Sequence, residues 1–354
     1  MAADLRLLAL SGDGIGPEIM GASLSVLEAV APRMARGVTV ETAEIGFPAL
    51  ERAGTTIPPA VIAAAKAADG VLLGPVSHIA YPPKSEGGLN PSGVLRKELD
   101  LFANIRPARV WPGLAAHTKG PMDVVVVREN LEGFYADRNM FEGSGEFMPV
   151  PGVALAVRRI TEHASRRIAE AGFRIAAARS AKRVAVIHKA NVMRMSDGLF
   201  LDTVRDVAKA FPDVEVEEVL VDAAAALMVR SPERFDTIIT TNMFGDILSD
   251  LASELCGGLG LAGSLNAGPT HAAAQAQHGS APDIAGRDAA NPTSLILSLA
   301  MLLRHLGETS AADTIEAALA TCLARPETRT RDVGGTLGTK AFNQALVTTI
   351  AEAP

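Results

Sequence analysis

Cysteine is almost missing from this sequence, with only Cys256 and Cys322 among 354 residues. Two thiols cannot build a disulfide framework, and neither has the CxxC or Cys/His spacing of a zinc site, so a reducing compartment fits. Long apolar runs are missing too. Hydrophobic residues make up 48% of the chain, yet Gly, Pro or charge interrupts them before the roughly 18 residues that a membrane span needs. The opening MAADLRLLALSGDG has neither a basic segment leading into an apolar stretch and cleavage site nor an Arg/Ser-rich amphipathic stretch. A cytoplasmic location is the expectation. Positive charge is in deficit: the formal net charge is -7, which argues against a nucleic-acid backbone as principal ligand. Any anion must be caught by a local cluster. Internal repeats and low-complexity linkers are also lacking, so composition marks domain boundaries poorly.

What is present is an alternation. Short Val/Ile/Leu/Ala runs at Leu5–Leu10, Gly70–Leu73, Met122–Val127, Arg183–Ile187, Val214–Leu220 and Thr237–Thr240 read as strands buried on both faces, and the class is α/β. Helices are predicted at Pro17–Ala31, Val153–Ala171, Met195–Ala210, Asp246–Leu255 and Pro292–Leu306. The Gly/Pro-rich stretches Pro75–Gly93 and Gly257–His278 read as long loops, which in compact domains are often functional. A chain of this length exceeds a single average domain, so two domains are expected.

Several segments hold residues suited to chemistry. After the first strand comes Gly12-Asp13-Gly14-Ile15-Gly16-Pro17-Glu18. A dinucleotide loop wants a third glycine where Pro17 stands, and a plain strand-to-helix turn explains the segment equally well. Arg96 and Arg106 lie ten residues apart, and Arg128 follows the strand Met122–Val127. Three guanidinium groups converging on one cleft would suit a small di- or tricarboxylate, whereas three surface arginines are the plain alternative. Tyr135 closes the segment after Arg128, and Lys189 stands at a strand's carboxyl end, where ligand sites of open α/β sheets cluster. A lysine there could serve as general base and the tyrosine as a proton source.

Asp246 and Asp250 follow the strand Thr237–Thr240 and, four residues apart, share one face of a helix. Two such carboxylates repel unless a cation lies between them, and hard oxygens favour Mg²⁺ or Mn²⁺. Asp222, after the strand Val214–Val221, could complete the set. Otherwise Asp246 is a first-turn residue favoured by the helix dipole, and Asp250 is solvated. Finally, His278-Gly279-Ser280-Ala281-Pro282-Asp283-Ile284 precedes Asn291-Pro292. Small residues admit a flat ligand, His278 and Asn291 offer adenine-edge contacts, and Asp283 could accept from ribose hydroxyls and repel a 2′-phosphate. An ordinary Gly/Pro loop is the plainer reading.

Together and in this order, from the GDGIGPE turn to Arg331-Asp332-Val333-Gly334-Gly335-Thr336, these segments resemble the β-decarboxylating dehydrogenases, the isocitrate, 3-isopropylmalate, homoisocitrate and tartrate dehydrogenase family. The resemblance implies a two-domain fold with a large mixed sheet, not a standard Rossmann fold. Residues 1–100 plus 254–354 would bind the cofactor, and 101–253 would carry dimerisation, substrate and metal, with an arm near 135–151. It also implies that Arg96, Arg106 and Arg128 hold substrate carboxylates, together with Asn90, Ser92, Tyr135, Lys189 and Asn191. Tyr135, Lys189 and Asp222 would be catalytic, and Asp222, Asp246 and Asp250 would bind Mg²⁺ or Mn²⁺. Lys189 and Asp222 would reach in from the other subunit of a homodimer. NAD would lie against Ile15 and the segment His278 to Ile284, with Asn291. NADP-specific bacterial isocitrate dehydrogenases carry Lys and Tyr where Asp283 and Ile284 stand.

The reaction so implied is NAD- and metal-dependent oxidative decarboxylation of a 3-substituted malate-type 2-hydroxy acid. Isopropylmalate dehydrogenases place paired leucines where Ser92 and Gly93 stand, and isocitrate dehydrogenases place a Ser and an Asn where Asn90 and Ser92 occur in exchanged order. An isocitrate-like substrate is therefore expected ahead of 3-isopropylmalate, the substrate of leucine biosynthesis. Gln275 replaces the usual Glu three residues before His278, and Ser11 replaces a proline. A non-catalytic regulatory subunit of the same family is the alternative from another class. Membrane and nucleic-acid partners are not expected.

Overall fold

A computed structural model of the chain describes residues 3–135, 140 and 143–353. The chain divides into two compact units, one formed by Met1–Leu99, Trp111–Ala115 and Gly257–Pro354, the other by Asp100–Val110 and Ala116–Cys256. Among the described residues no helix is long and apolar enough to cross a membrane.

In the first unit the strands Leu5–Leu10, Val38–Ala43, Gly70–Leu73 and Ala272–Gln275 run parallel, and Leu265–Ala267 adds antiparallel to the last. The run LRLLAL is buried at every position but Arg6, as a strand covered on both faces requires. Helix Thr293–His305 is buried almost throughout and packs with Ile315, Leu319, Phe342 and Leu346 into one apolar cluster. Its serines avoid being orphaned in that cluster by bonding back to the chain, Ser294 Oγ donating to the Ala262 carbonyl and Ser298 Oγ to the Gln275 carbonyl.

The second unit is built around Asp123–Glu129, whose DVVVVRE is buried from Val124 onward. Ala103–Arg109 pairs with it antiparallel; Thr237–Thr240, Arg183–His188 and Glu215–Leu220 follow in parallel on its other side. Each unit therefore holds a mixed sheet. Register decides what this sheet presents. Arg128 lies opposite both Asn104 and Thr240, and Arg106 lies opposite Val126. Val126 and Arg128 are two residues apart on one strand, so both arginines leave the sheet on the same face.

Four element assignments or bounds change. The helix expected over Val153–Ala171 begins only at Glu162, where Thr161 caps it by accepting from the Ala164 amide. Its proposed first turn is instead a strand, Val153–Ala156, paired antiparallel with Glu146–Val150 across Gly152 at φ +82, because Pro151-Gly152 makes a turn that a helix would forbid. Within the expected loop Gly257–His278, Ala272–Gln275 is a strand because pairing with the buried Gly70–Leu73 outweighs alanine's weak strand preference, and Leu265–Ala267 is a strand paired with it in turn. The end of the other expected loop is the helix Pro91–Glu98, and the helix expected from Asp246 starts at Asn242. Of the proposed arm, residues 136–139, 141 and 142 lie outside the described residues.

Candidate active site

Arg128, next to last in the strand Asp123–Glu129, is 1% exposed. Its Nε and Nη2 both donate to Asn242 Oδ1, at 2.9 and 2.7 Å, and Nη2 also donates to the Tyr135 hydroxyl at 2.7 Å. Nη1 bonds to Asp246, and the Tyr135 hydroxyl donates to the other oxygen of that carboxylate at 2.6 Å. Arg106 approaches from the neighbouring strand. Its Nη1 donates to Ser249 Oγ at 2.8 Å and to Asp250 at 3.1 Å, and lies 3.4 Å from Asp246. Burial, then the neighbouring Arg128, pulls the Arg106 guanidinium down to about 10, and the two like charges are held together by Asp246, which both contact. Five expected residues, Arg106, Arg128, Tyr135, Asp246 and Asp250, are thus drawn into one cluster within the second unit.

Local sequence explains the cluster. Thr241 starts the helix Asn242–Leu255, and Asp246, Ser249 and Asp250 recur at helical spacing on one face. Asp246 lies a turn inside the helix, which removes its reading as a first-turn dipole residue. Its side chain and that of Asp250 stay 40% and 50% exposed, so a ligand can approach them. Gly245 is required here, because a Cβ would fall 2.6 Å from Arg128 Cβ and Cγ.

Lys189 and Asp222 are drawn to each other instead. Their ammonium and carboxylate form a direct ion pair, with side chains 25% and 66% exposed, and the hydrogen bond from Lys189 holds the Asp222 carboxyl below its ordinary value. Among the described residues no three His, Cys, Asp or Glu side chains come close enough to hold a metal ion, so one chain brings Asp246 and Asp250 together without Asp222. Asn191 is exposed beside the Lys189 turn.

In the first unit, Ile15, His278, Gly279, Ala281, Ile284 and Asn291, with Asp332, line a cavity of about 260 Å³. Gly14, at φ +57, lets the turn meet the Ser280 carbonyl, to which the Ile15 amide donates at 2.9 Å, and a Cβ on Gly14 would collide with that oxygen. His278 Nδ1 bonds within the loop while its Nε2 is buried without a partner, and burial lowers the pKa of the ring. Asn291 is tied to Asp332 at 2.9 Å. Pro282 and Asp283 are exposed and begin a short 3-10 turn. Of the three residues on the helix Pro91–Glu98 and its cap, Asn90 accepts from the Gly93 amide, Ser92 is buried and donates to Gln275 Oε1 at 2.8 Å, and Arg96 is half-buried.

Some partners escaped the sequence reading. Asn242 fixes Arg128 and also donates to the Glu132 carbonyl at 3.0 Å. Asp13 accepts from the Phe47 and Ser77 amides and from the Tyr81 hydroxyl, binding three loops into the frame of the GDGIGPE turn. An acid between two glycines, Gly12-Asp13-Gly14, was the available signal. Ser249 carried none beyond its spacing. Neither buried thiol takes part, since burial pushes Cys256 up to about 12 and raises Cys322 as well.

Known proteins share this whole arrangement of chain. The isocitrate/isopropylmalate dehydrogenase family model matches residues 6–347. The isocitrate/homoisocitrate dehydrogenase of Thermus thermophilus is 44% identical over 344 residues, 97% of each chain. The 3-isopropylmalate dehydrogenase of Archaeoglobus fulgidus is 40% identical over 338 residues, 95% of this chain and 97% of that one. A crystal structure of isocitrate dehydrogenase from Methylococcus capsulatus superposes with a TM-score of 0.89 at 37% identity, covering 98% of this chain and all of that one. With a match from the first strand to the last helix, this chain belongs to the isocitrate/isopropylmalate dehydrogenase family of oxidoreductases.

Proposed function

We propose that this protein is an NAD- and divalent-metal-dependent dehydrogenase that oxidises and decarboxylates a 3-substituted malate-type 2-hydroxy acid, isocitrate-like rather than 3-isopropylmalate. The observation that carries this reading is the convergence of Arg106, Arg128 and Tyr135 on Asp246 and Asp250. Two guanidinium groups at a strand-end cluster are suited to a polycarboxylate, and two half-exposed hard-oxygen donors on one helix face suit Mg²⁺ or Mn²⁺. The small-residue cavity with the orphaned His278 Nε2 fits an adenine edge, and Asp283 favours NAD over NADP. When bound, NAD supplies a hydride acceptor and the metal ion a Lewis acid.

The chain's own residues then divide the work. Arg106 and Arg128 hold substrate carboxylates, with Arg96 as the third expected ligand. Lys189 removes the hydroxyl proton. Tyr135, held between Arg128 and Asp246, returns a proton to the carbon that lost its carboxylate. Lys189 and Asp222 serve the site of a second copy, making a homodimer with shared sites. Their pairing away from Asp246, and the exposed Val192, Met195 and Ile247 on the same segments, support that reading. The polar Ser92–Gln275 contact favours a hydrogen-bonding 3-substituent over an isopropyl group. A cytoplasmic location belongs to the same reading.

The test is NAD reduction with Mn²⁺ across isocitrate, homoisocitrate, 3-isopropylmalate, tartrate and D-malate. Preference for a tri- or dicarboxylate other than 3-isopropylmalate is expected. Preference for 3-isopropylmalate would overturn the substrate choice, and inactivity of the purified homo-oligomer with all five would favour a regulatory subunit.

A further inference from the structure

Three segments carry the groups to which the second unit's chemistry is assigned: the turn ending in Tyr135, the turn at Lys189, and the start of the helix bearing Asp246. They are remote in sequence. One buried guanidinium, that of Arg158, reaches all three, two of them directly and the Lys189 turn through Asp197. Its Nη2 donates to Thr241 Oγ1 at 3.0 Å, at the head of the aspartate helix. Its Cζ lies 5.5 Å from the ring centroid of Phe244, in that helix, and 5.8 Å from that of Phe134, the residue before Tyr135. Its Nη1 donates to Ser196 Oγ at 2.9 Å and forms an ion pair with Asp197. Asp197 in turn accepts from the Lys189 amide at 2.5 Å. The two side chains are 8% and 0% exposed.

A charge pair this dry is an expensive way to hold a fold together, since apolar residues of the same volume often do as well. What it adds is direction. A guanidinium has five donors in a rigid plane with two faces open to stacking, so it can fix three partners in one geometry where a lysine fixes one. We propose that Arg158, acting through Asp197, is a positioning residue that fixes Tyr135 and Asp246 of its own site relative to Lys189, which serves the second copy's site. It touches no reacting atom. The claim rests on the roles assigned above to those three residues.

The experiment uses the full-length protein. The double variant Arg158→Met/Asp197→Asn removes both charges together, so no orphaned ion destabilises the fold, and Arg158→Lys keeps the ion pair but loses the fork and the stacking plane. Amide hydrogen exchange is read at Lys189, at Phe134–Tyr135 and at Asn242–Asp246, beside kcat and the KM for NAD. In the double variant, exchange should rise roughly tenfold or more in all three segments while the strand Leu5–Leu10 is unchanged. kcat should fall on the order of 10²-fold with the KM for NAD unaltered. Arg158→Lys should keep the Lys189 amide protected yet loosen Asn242–Asp246 and lower kcat. Exchange confined to the start of the helix at Ser196, exchange rising evenly through the unit, or a kcat per folded enzyme within about twofold of the parent would each overturn the proposal. If the parent oxidises no family substrate, the assigned function has failed, while the exchange pattern still decides whether Arg158 sets the three segments.

Discussion

Replacing Gly245 by alanine sets two effects of opposite sign against each other. In a helix interior the added methyl removes conformational freedom from the unfolded chain and favours folding by about 0.5–1 kcal/mol. At Gly245 the same methyl would lie 2.6 Å from Arg128 Cβ and Cγ and 3.1 Å from Thr240 Cγ2. A relaxed carbon pair needs about 3.5 Å, so helix and strand must part by close to 1 Å. The clashing atoms are the near end of a buried side chain on a strand paired on both sides, and they cannot swing away. Overpacking of this kind costs about 1–3 kcal/mol, which leaves a net loss of roughly 0–2.5 kcal/mol and a Tm lower by a few degrees at most. Activity should suffer more, because the displaced group holds Tyr135 and Asp246; a shift of about 1 Å corresponds to a fall of about 10²-fold in kcat/KM.

Two control substitutions separate the terms. Gly21 faces open space in its helix, so Gly21→Ala should raise Tm slightly and leave kinetics alone. Gly172→Ala would put a Cβ 2.4 Å from Ile239 Cγ1, outside the cluster, and should lower Tm without changing kcat/KM per folded enzyme. Thermal melts and steady-state kinetics on the preferred substrate suffice. Gly245→Ala with kcat/KM within about twofold of the parent, or Gly172→Ala losing as much activity as Gly245→Ala, would refute the assignment of Gly245 to seating Arg128.

Three further outcomes are expected. Glu129 is 5% exposed, and burial raises its carboxyl from 4.5 to about 7; a raised folded pKa gives stability that is present below the unfolded value and lost as pH rises through the folded one. The Tm of Glu129→Gln minus that of the parent should therefore climb between about pH 4.5 and 7 and level off above, and a flat difference would show that the carboxyl titrates normally. Asp246→Asn removes a charged oxygen and should weaken Mn²⁺ binding by about tenfold or more in calorimetry; an unaltered isotherm would place the metal elsewhere. Asp283→Lys should shift kcat/KM from NAD toward NADP by removing a ribose acceptor and adding a phosphate partner, and retained NAD preference would mean that other contacts decide.

The buried strands were legible because their hydrophobicity is continuous: Leu5–Leu10, Gly70–Leu73 and Thr237–Thr240 stand where the apolar runs are. Edge and amphipathic elements were not. Val38–Ala43 is largely exposed and carries no such run, and Ala272–Gln275 is a strand only because a buried neighbour pairs with it. The hairpin Glu146–Ala156 is exposed along both strands, so no inward face marked its period. In the first unit Asn90 and Ser92 could be named as polar, but their use as a helix cap and as a donor to Gln275 depends on backbone placed far away in sequence.

By itself the sequence determined the α/β class and family membership through the order of its motifs, because these follow from local hydrophobicity and from residue types at set spacing. Only the tertiary structure decided which charges meet. Arg106 and Arg128 share a face because antiparallel pairing sets Arg106 opposite Val126, Asp246 reaches them because Gly245 lets the helix close on the strand, and Lys189 finds Asp222 instead. Spacing along a chain constrains what neighbours in a helix or strand can do, whereas the attraction between two charges falls off with distance through space, and that distance is set by register and packing.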